Sequence, residues 1–106
     1  MDLGELTLEK AKALQGTKFE LSLGDGSTTM ITLDEALPFD VRQRRRTRAR
    51  YTPKRDPFAL YFLGEPSLIV PQGSYTFRAE TVTFEMLFIV PVGQDDQATE
   101  YEAVFA

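Results

Sequence analysis

The chain has 106 residues, a net charge of −4, 42% hydrophobic and 11% aromatic content, enough for one domain with a modest core. It contains no cysteine and no histidine. That excludes disulfides, zinc–thiolate sites, thiol nucleophiles and imidazole bases.

Residues 1–5 are acidic and lack the basic and apolar regions of a signal peptide. No apolar run approaches the ~20 residues that span a bilayer as a helix. The expectation is a soluble protein with no membrane association, cytoplasmic or built into an assembled appendage.

One short helix is predicted over residues 7–14. Thr7 is its N-cap, Leu8, Ala11 and Leu14 recur at helical spacing, and Gly16 supplies a left-handed stop. The period then changes to two. Phe19, Leu21 and Leu23 alternate with polar residues in a half-buried strand, Gly24-Asp25-Gly26-Ser27 reads as a type I′ turn, and a second strand runs over 28–37 with Ile31, Leu33 and Leu37 on one face. Residues 58–63 form a strand hydrophobic on both faces, which needs a central or covered place.

A strand over 74–80 alternates through Tyr75, Phe77 and Ala79. A longer one over 83–92 has Phe84, Met86, Phe88, Val90 and Val92 in phase, with Pro91 predicting an edge or a bend where a partner strand could add. Residues 93–98 read as a polar hairpin tip. A last strand over 99–105 sets Tyr101, Ala103 and Phe105 against Glu100, Glu102 and Val104. The fold class is therefore all-β: a single domain over 1–106, a small antiparallel meander of about six strands forming a barrel or sandwich, with one short N-terminal helix.

The link over 38–57 stands apart. Eight of the twelve bases lie between Arg42 and Arg55 with no acid among them, a local charge of +8. The remainder holds all sixteen acids and four bases, a charge of −12. Arg42, Arg44, Arg46, Arg48 and Arg50 recur two apart, so an extended arm would point them one way, with Arg45 on the other face. Such a row repels itself unless carboxylates or phosphates lie opposite, which guanidinium pairs in bidentate fashion. Arg42, Arg44, Arg45, Arg46, Arg48 and Arg50 are thus the candidate partner-binding residues. The occupant expected is a protein partner or a second copy of the chain. An anion or nucleic-acid binding module using the same strip is the alternative, with nucleic acid disfavoured by the acidic remainder and by a single aromatic, Tyr51, within the strip. A solvated loop with no dedicated partner is the plain reading of such a run.

Other candidates are weaker. Asp25, Asp95 and Asp96 sit in turn signals without calcium-loop spacing. Glu100 and Glu102 read as a solvent-facing acidic stripe, natural receivers for an arginine row. The serines lie in no nucleophile motif and no phosphate-binding glycine loop is present. A non-catalytic protein without cofactor or metal is expected.

Three segments together resemble a family of small, uncharacterised bacterial proteins of this length. They are Leu6-Thr7-Leu8 with Leu14, Gly16, Phe19 and Leu21; Pro57-Phe58-Ala59-Leu60-Tyr61-Phe62 with Pro71-Gln72-Gly73-Ser74-Tyr75; and Phe88-Ile89-Val90-Pro91-Val92-Gly93 with Tyr101-Glu102-Ala103-Val104-Phe105. The resemblance spans nearly the whole chain. It implies companionship with phage-tail-collar-type proteins and a structural role in a tail-like assembly. It carries over no catalytic or binding residues, and the arginine strip departs from the family's less basic link.

Overall fold

The computed structural model describes residues 3–38 and 57–105. A 3-10 turn, Leu3–Glu5, leads into helix α1, Leu8–Ala13. Thr7 is the N-cap as expected: its hydroxyl accepts the Lys10 N–H at 3.2 Å. Leu14 closes the helix and Gly16 takes a left-handed φ of +90°. With so few turns α1 depends on packing, and it lies against the sheet with Ala11 buried and Leu8 and Leu14 against the core.

Six strands follow among the described residues: β1, Lys18–Ser22; β2, Thr28–Pro38; β3, Phe58–Gly64; β4, Gly73–Arg78; β5, Thr83–Gln94; β6, Thr99–Phe105. They close into an antiparallel barrel in the order β1-β2-β3-β6-β5-β4. Of the barrel or sandwich expected, the barrel is present. It consists of two three-stranded meanders, β1-β2-β3 and β4-β5-β6, sealed by β3–β6 and β1–β4 pairing. β3 lies between β2 and β6, and of the covered second face its two-sided hydrophobicity predicts, Ala59 is buried while Tyr61 and Leu63 are half-buried.

Phenylalanines fill the barrel. Phe19 stacks on Phe84 at 5.2 Å between ring centroids and meets Phe62 and Phe77 edge-on at 6.2 and 6.1 Å. Phe62 and Phe77 are 4.9 Å apart, and Phe58 stacks on Phe105 at 4.8 Å. The 65–72 link joins β3 to β4 and is tied down by β6. The Tyr101 hydroxyl accepts the Val70 N–H at 2.8 Å and donates to the Leu68 carbonyl at 3.3 Å. The Thr99 hydroxyl lies 2.9 Å from the Glu65 carbonyl.

Three expectations are corrected. The turn after β1 is not type I′. That turn needs two consecutive positive φ angles, whereas Gly24 and Gly26 have φ of +84° and +91° on either side of Asp25, which does not. The Leu23 N–H reaches the Ser27 carbonyl at 3.0 Å around this three-residue loop.

In β2, Leu33 opposes Phe62 and Glu35 opposes Tyr61, so Asp34 is an extra residue, a β-bulge. The phase flips there: Ala36 is buried and Leu37 is outward and 41% exposed, not in line with Ile31 and Leu33. The Ala36 N–H at the bulge donates to the Gln15 side chain at 2.9 Å.

β5 carries the third correction. Phe77 opposes Phe84 and Tyr75 opposes Leu87, so β5 also holds one extra residue. Met86 takes φ +54°, and beyond it Leu87 and Ile89 point inward. Met86, Phe88 and Val92 are exposed outside the barrel rather than in phase with Phe84. The bend expected at Pro91 is a further bulge, between Pro91 and Gly93 opposite β6. Val90–Gln94 run on past Gly73, where β4 begins.

Candidate functional site

Arg42, Arg44, Arg45, Arg46, Arg48 and Arg50 lie outside the described residues. What can be located is where their segment is attached. Pro38 at the end of β2 and Phe58 at the start of β3 are register partners. The strip therefore leaves and rejoins the barrel at one end of a single strand pair.

The outer face of β2, β3 and β6 lies alongside. Burial alternates along β6: Thr99, Tyr101, Ala103 and Phe105 point in, so Glu100, Glu102 and Val104 point out. On β3, Phe58, Leu60 and Phe62 face the core, and Tyr61 and Leu63 take the other side. On β2 the Asp34 bulge brings Glu35 and Leu37 outward. Register sets these residues in rows: Leu37–Ala59–Val104 at the end where the strip is attached, then Glu35–Tyr61–Glu102, then Thr32–Leu63–Glu100.

Tyr61 sits at the middle of this face. Its hydroxyl donates to Glu102 Oε2 at 2.7 Å. That bond, then partial burial, then the charges of Glu102, Glu100 and Glu35 push its ionisation up to about 12. The three carboxylates thus act on one phenol. The expected Glu100–Glu102 stripe is present, and it is joined by two residues that sequence reasoning missed. Tyr61 was hidden in a strand apolar on both faces, although its alternation against Phe58, Leu60 and Phe62 was a usable signal. Glu35 reaches the face only through a bulge that periodicity does not reveal.

The face offers negative charge at the spacing of a β-strand, an aromatic ring and an apolar margin. Such a surface suits guanidinium groups, which pair with carboxylates and stack on aromatic rings. Among the described residues no group of three or more acids gathers closely enough to hold a metal.

Two of the other acidic candidates, Asp25 and Asp95, are used in turns. The Asp25 carboxylate accepts from the Ser27 hydroxyl and, at 2.8 Å, from the Ser27 N–H, and these bonds lower its pKa. Asp95 accepts the Ala98 and Gln97 N–H groups at 2.9 and 2.7 Å, with the same effect. Among the described residues, a shallow cleft of about 290 Å³ borders this face between Leu63, Glu100 and the β5–β6 hairpin, and another of about 310 Å³ lies away from it where Ser22–Gly24 and Ser74–Thr76 part beside Met86.

A family model described as Domain of unknown function (DUF6916) matches residues 6–105. No curated protein and no solved structure matches the chain.

Proposed function

The chain belongs to the DUF6916 family, and from that premise we propose that it is a non-catalytic interaction module of a protein assembly, docking through the arginine strip. The observation that carries this reading is charge segregation: +8 between Arg42 and Arg55 against −12 over the rest of the chain. A row of guanidinium groups gains free energy when carboxylates lie opposite, and a second copy of this chain is a source of them. A body of that negative charge repels a polyanion, which favours a protein partner over nucleic acid. The tail-collar companionship implied by the resemblance belongs to the same proposal: a small barrel with a cationic arm as an adaptor within an appendage.

The test is sedimentation at low and high salt of the chain and of a variant with Arg44→Glu, Arg46→Glu and Arg48→Glu. The chain associates at low salt and dissociates as the Debye length shrinks; the variant remains monomeric throughout. Assembly unchanged by the triple reversal overturns the proposal. So does a monomer that retains a polyanion at low salt.

A further inference from the structure

We propose that the arginine strip of one copy docks onto the outer face of β2, β3 and β6 of a second copy, over Tyr61 and against Glu35, Glu100 and Glu102. This rests on the assembly reading above and names the surface that receives the strip.

Carboxylates alone would not single out this face, because acids lie over much of the barrel. Three further observations do. The first is the ring at its centre. Tyr61 stands between Glu35 on β2 and Glu102 on β6 and is bonded to the latter at 2.7 Å. A guanidinium above it meets a π face and carboxylate on the same footprint. The second is spacing. Glu100 and Glu102 lie two apart on one strand face, roughly 7 Å along β6. Arg44, Arg46 and Arg48 are also two apart, so an arm extended along β6 meets one carboxylate per arginine over two successive pairs. Glu35, two strands away from Glu102, lies roughly 10 Å to the side, within reach of a third long side chain.

The third observation is placement. The strip is attached at Pro38 and Phe58, on the two strands that also carry Glu35 and Tyr61. Between its attachment and the acidic rows lies an apolar row in which Leu37 and Val104 are 41% and 50% exposed and Ala59 is covered. Two copies related by a two-fold axis can bring these margins together, and each strip then crosses onto the other's face. The result is reciprocal and closed: an isologous dimer with an apolar centre and two charged arms.

The experiment is a charge-swap by analytical sedimentation at low salt, with circular dichroism to show that each variant is folded. The face variant carries Glu100→Lys and Glu102→Lys; the strip variant carries Arg44→Glu, Arg46→Glu and Arg48→Glu. Each variant alone self-associates more weakly than the parent chain, by on the order of tenfold or more. Mixed together they recover a hetero-dimer, because the reversed strip meets the reversed face and the unchanged strip meets the unchanged face. If the strip variant fails to associate while the face variant associates like the parent, the assembly reading stands and this face is overturned. If the parent itself is monomeric at low salt, both fall. A mixture that does not recover the dimer, with both variants folded, also overturns the face.

Discussion

Tyr101 shows how much one side chain can hold. Its ring is 1% exposed inside the barrel, yet its hydroxyl satisfies the buried Val70 N–H and reaches the Leu68 carbonyl. Burial raises its ionisation, and the Val70 hydrogen bond works against that. Gly64 leaves space for the ring: a Cβ there would come within 3.2 Å of it. Tyr101→Phe leaves the Val70 amide without that acceptor and costs roughly 1–3 kcal/mol in a urea melt. Tyr75→Phe, which removes a hydroxyl that donates to the Pro71 carbonyl at an exposed site, changes stability by no more than about half a kcal/mol. Equal losses in the two variants would contradict this account.

Tyr61 makes the electrostatics of the outer face measurable. Its pKa is raised from 10.0 to about 12, so the native state holds the phenol's proton more tightly than the unfolded chain. Its contribution is fully present below pH ~10 and is lost as pH rises through about 12. Glu102→Gln removes the principal cause and brings the phenolate transition back toward the ordinary tyrosine range, followed by absorbance in an alkaline titration. A transition that stays in place would show that Glu102 is not responsible.

At the scale of the element, bulges decide what alternation cannot. The clean alternation of β1 and β6 was legible: Phe19 and Leu21, and Tyr101, Ala103 and Phe105, are all buried. β2 and β5 were legible as strands but not in phase, because one inserted residue sends every later side chain to the opposite face. Nothing in the local pattern around Met86 announces its left-handed backbone, which is uncommon for a residue other than glycine. The residue is 64% exposed, so replacing its side chain removes little burial. Met86→Val puts a β-branched side chain, for which such a backbone is a still rarer outlier, at that position and lowers the unfolding free energy by on the order of 1 kcal/mol, read by thermal or urea denaturation. Met86→Gly is neutral or mildly stabilising in the same measurement. The reverse order would mean that the bulge is not where the register places it.

At the scale of the molecule, closure and charge belong together. The seal between β3 and β6 carries register from Phe58–Phe105 to Gly64–Thr99, and this seam together with the β2–β3 pairing lays Tyr61 between Glu35 and Glu102. Acids at sequence positions 35, 100 and 102 become neighbours on one face, close to where an eight-base segment of the same chain is attached. Sedimentation of the swapped variants tests the whole-molecule consequence, that two such copies are complementary to each other.

Composition, the N-cap at Thr7 and period-two alternation determined by themselves that this is a small β domain with one short helix, and that its charge is divided between a strip and a body. These are local properties, carried by neighbouring residues and readable in order along the chain. Only the tertiary structure decided that two meanders are sealed into a barrel, that β2 and β5 change phase, and that Tyr61 shares a face with three distant carboxylates. Each of those depends on which strand lies beside which and in what register. That is a non-local choice, settled by how the phenylalanines pack at the centre and by where the bulges absorb the mismatch.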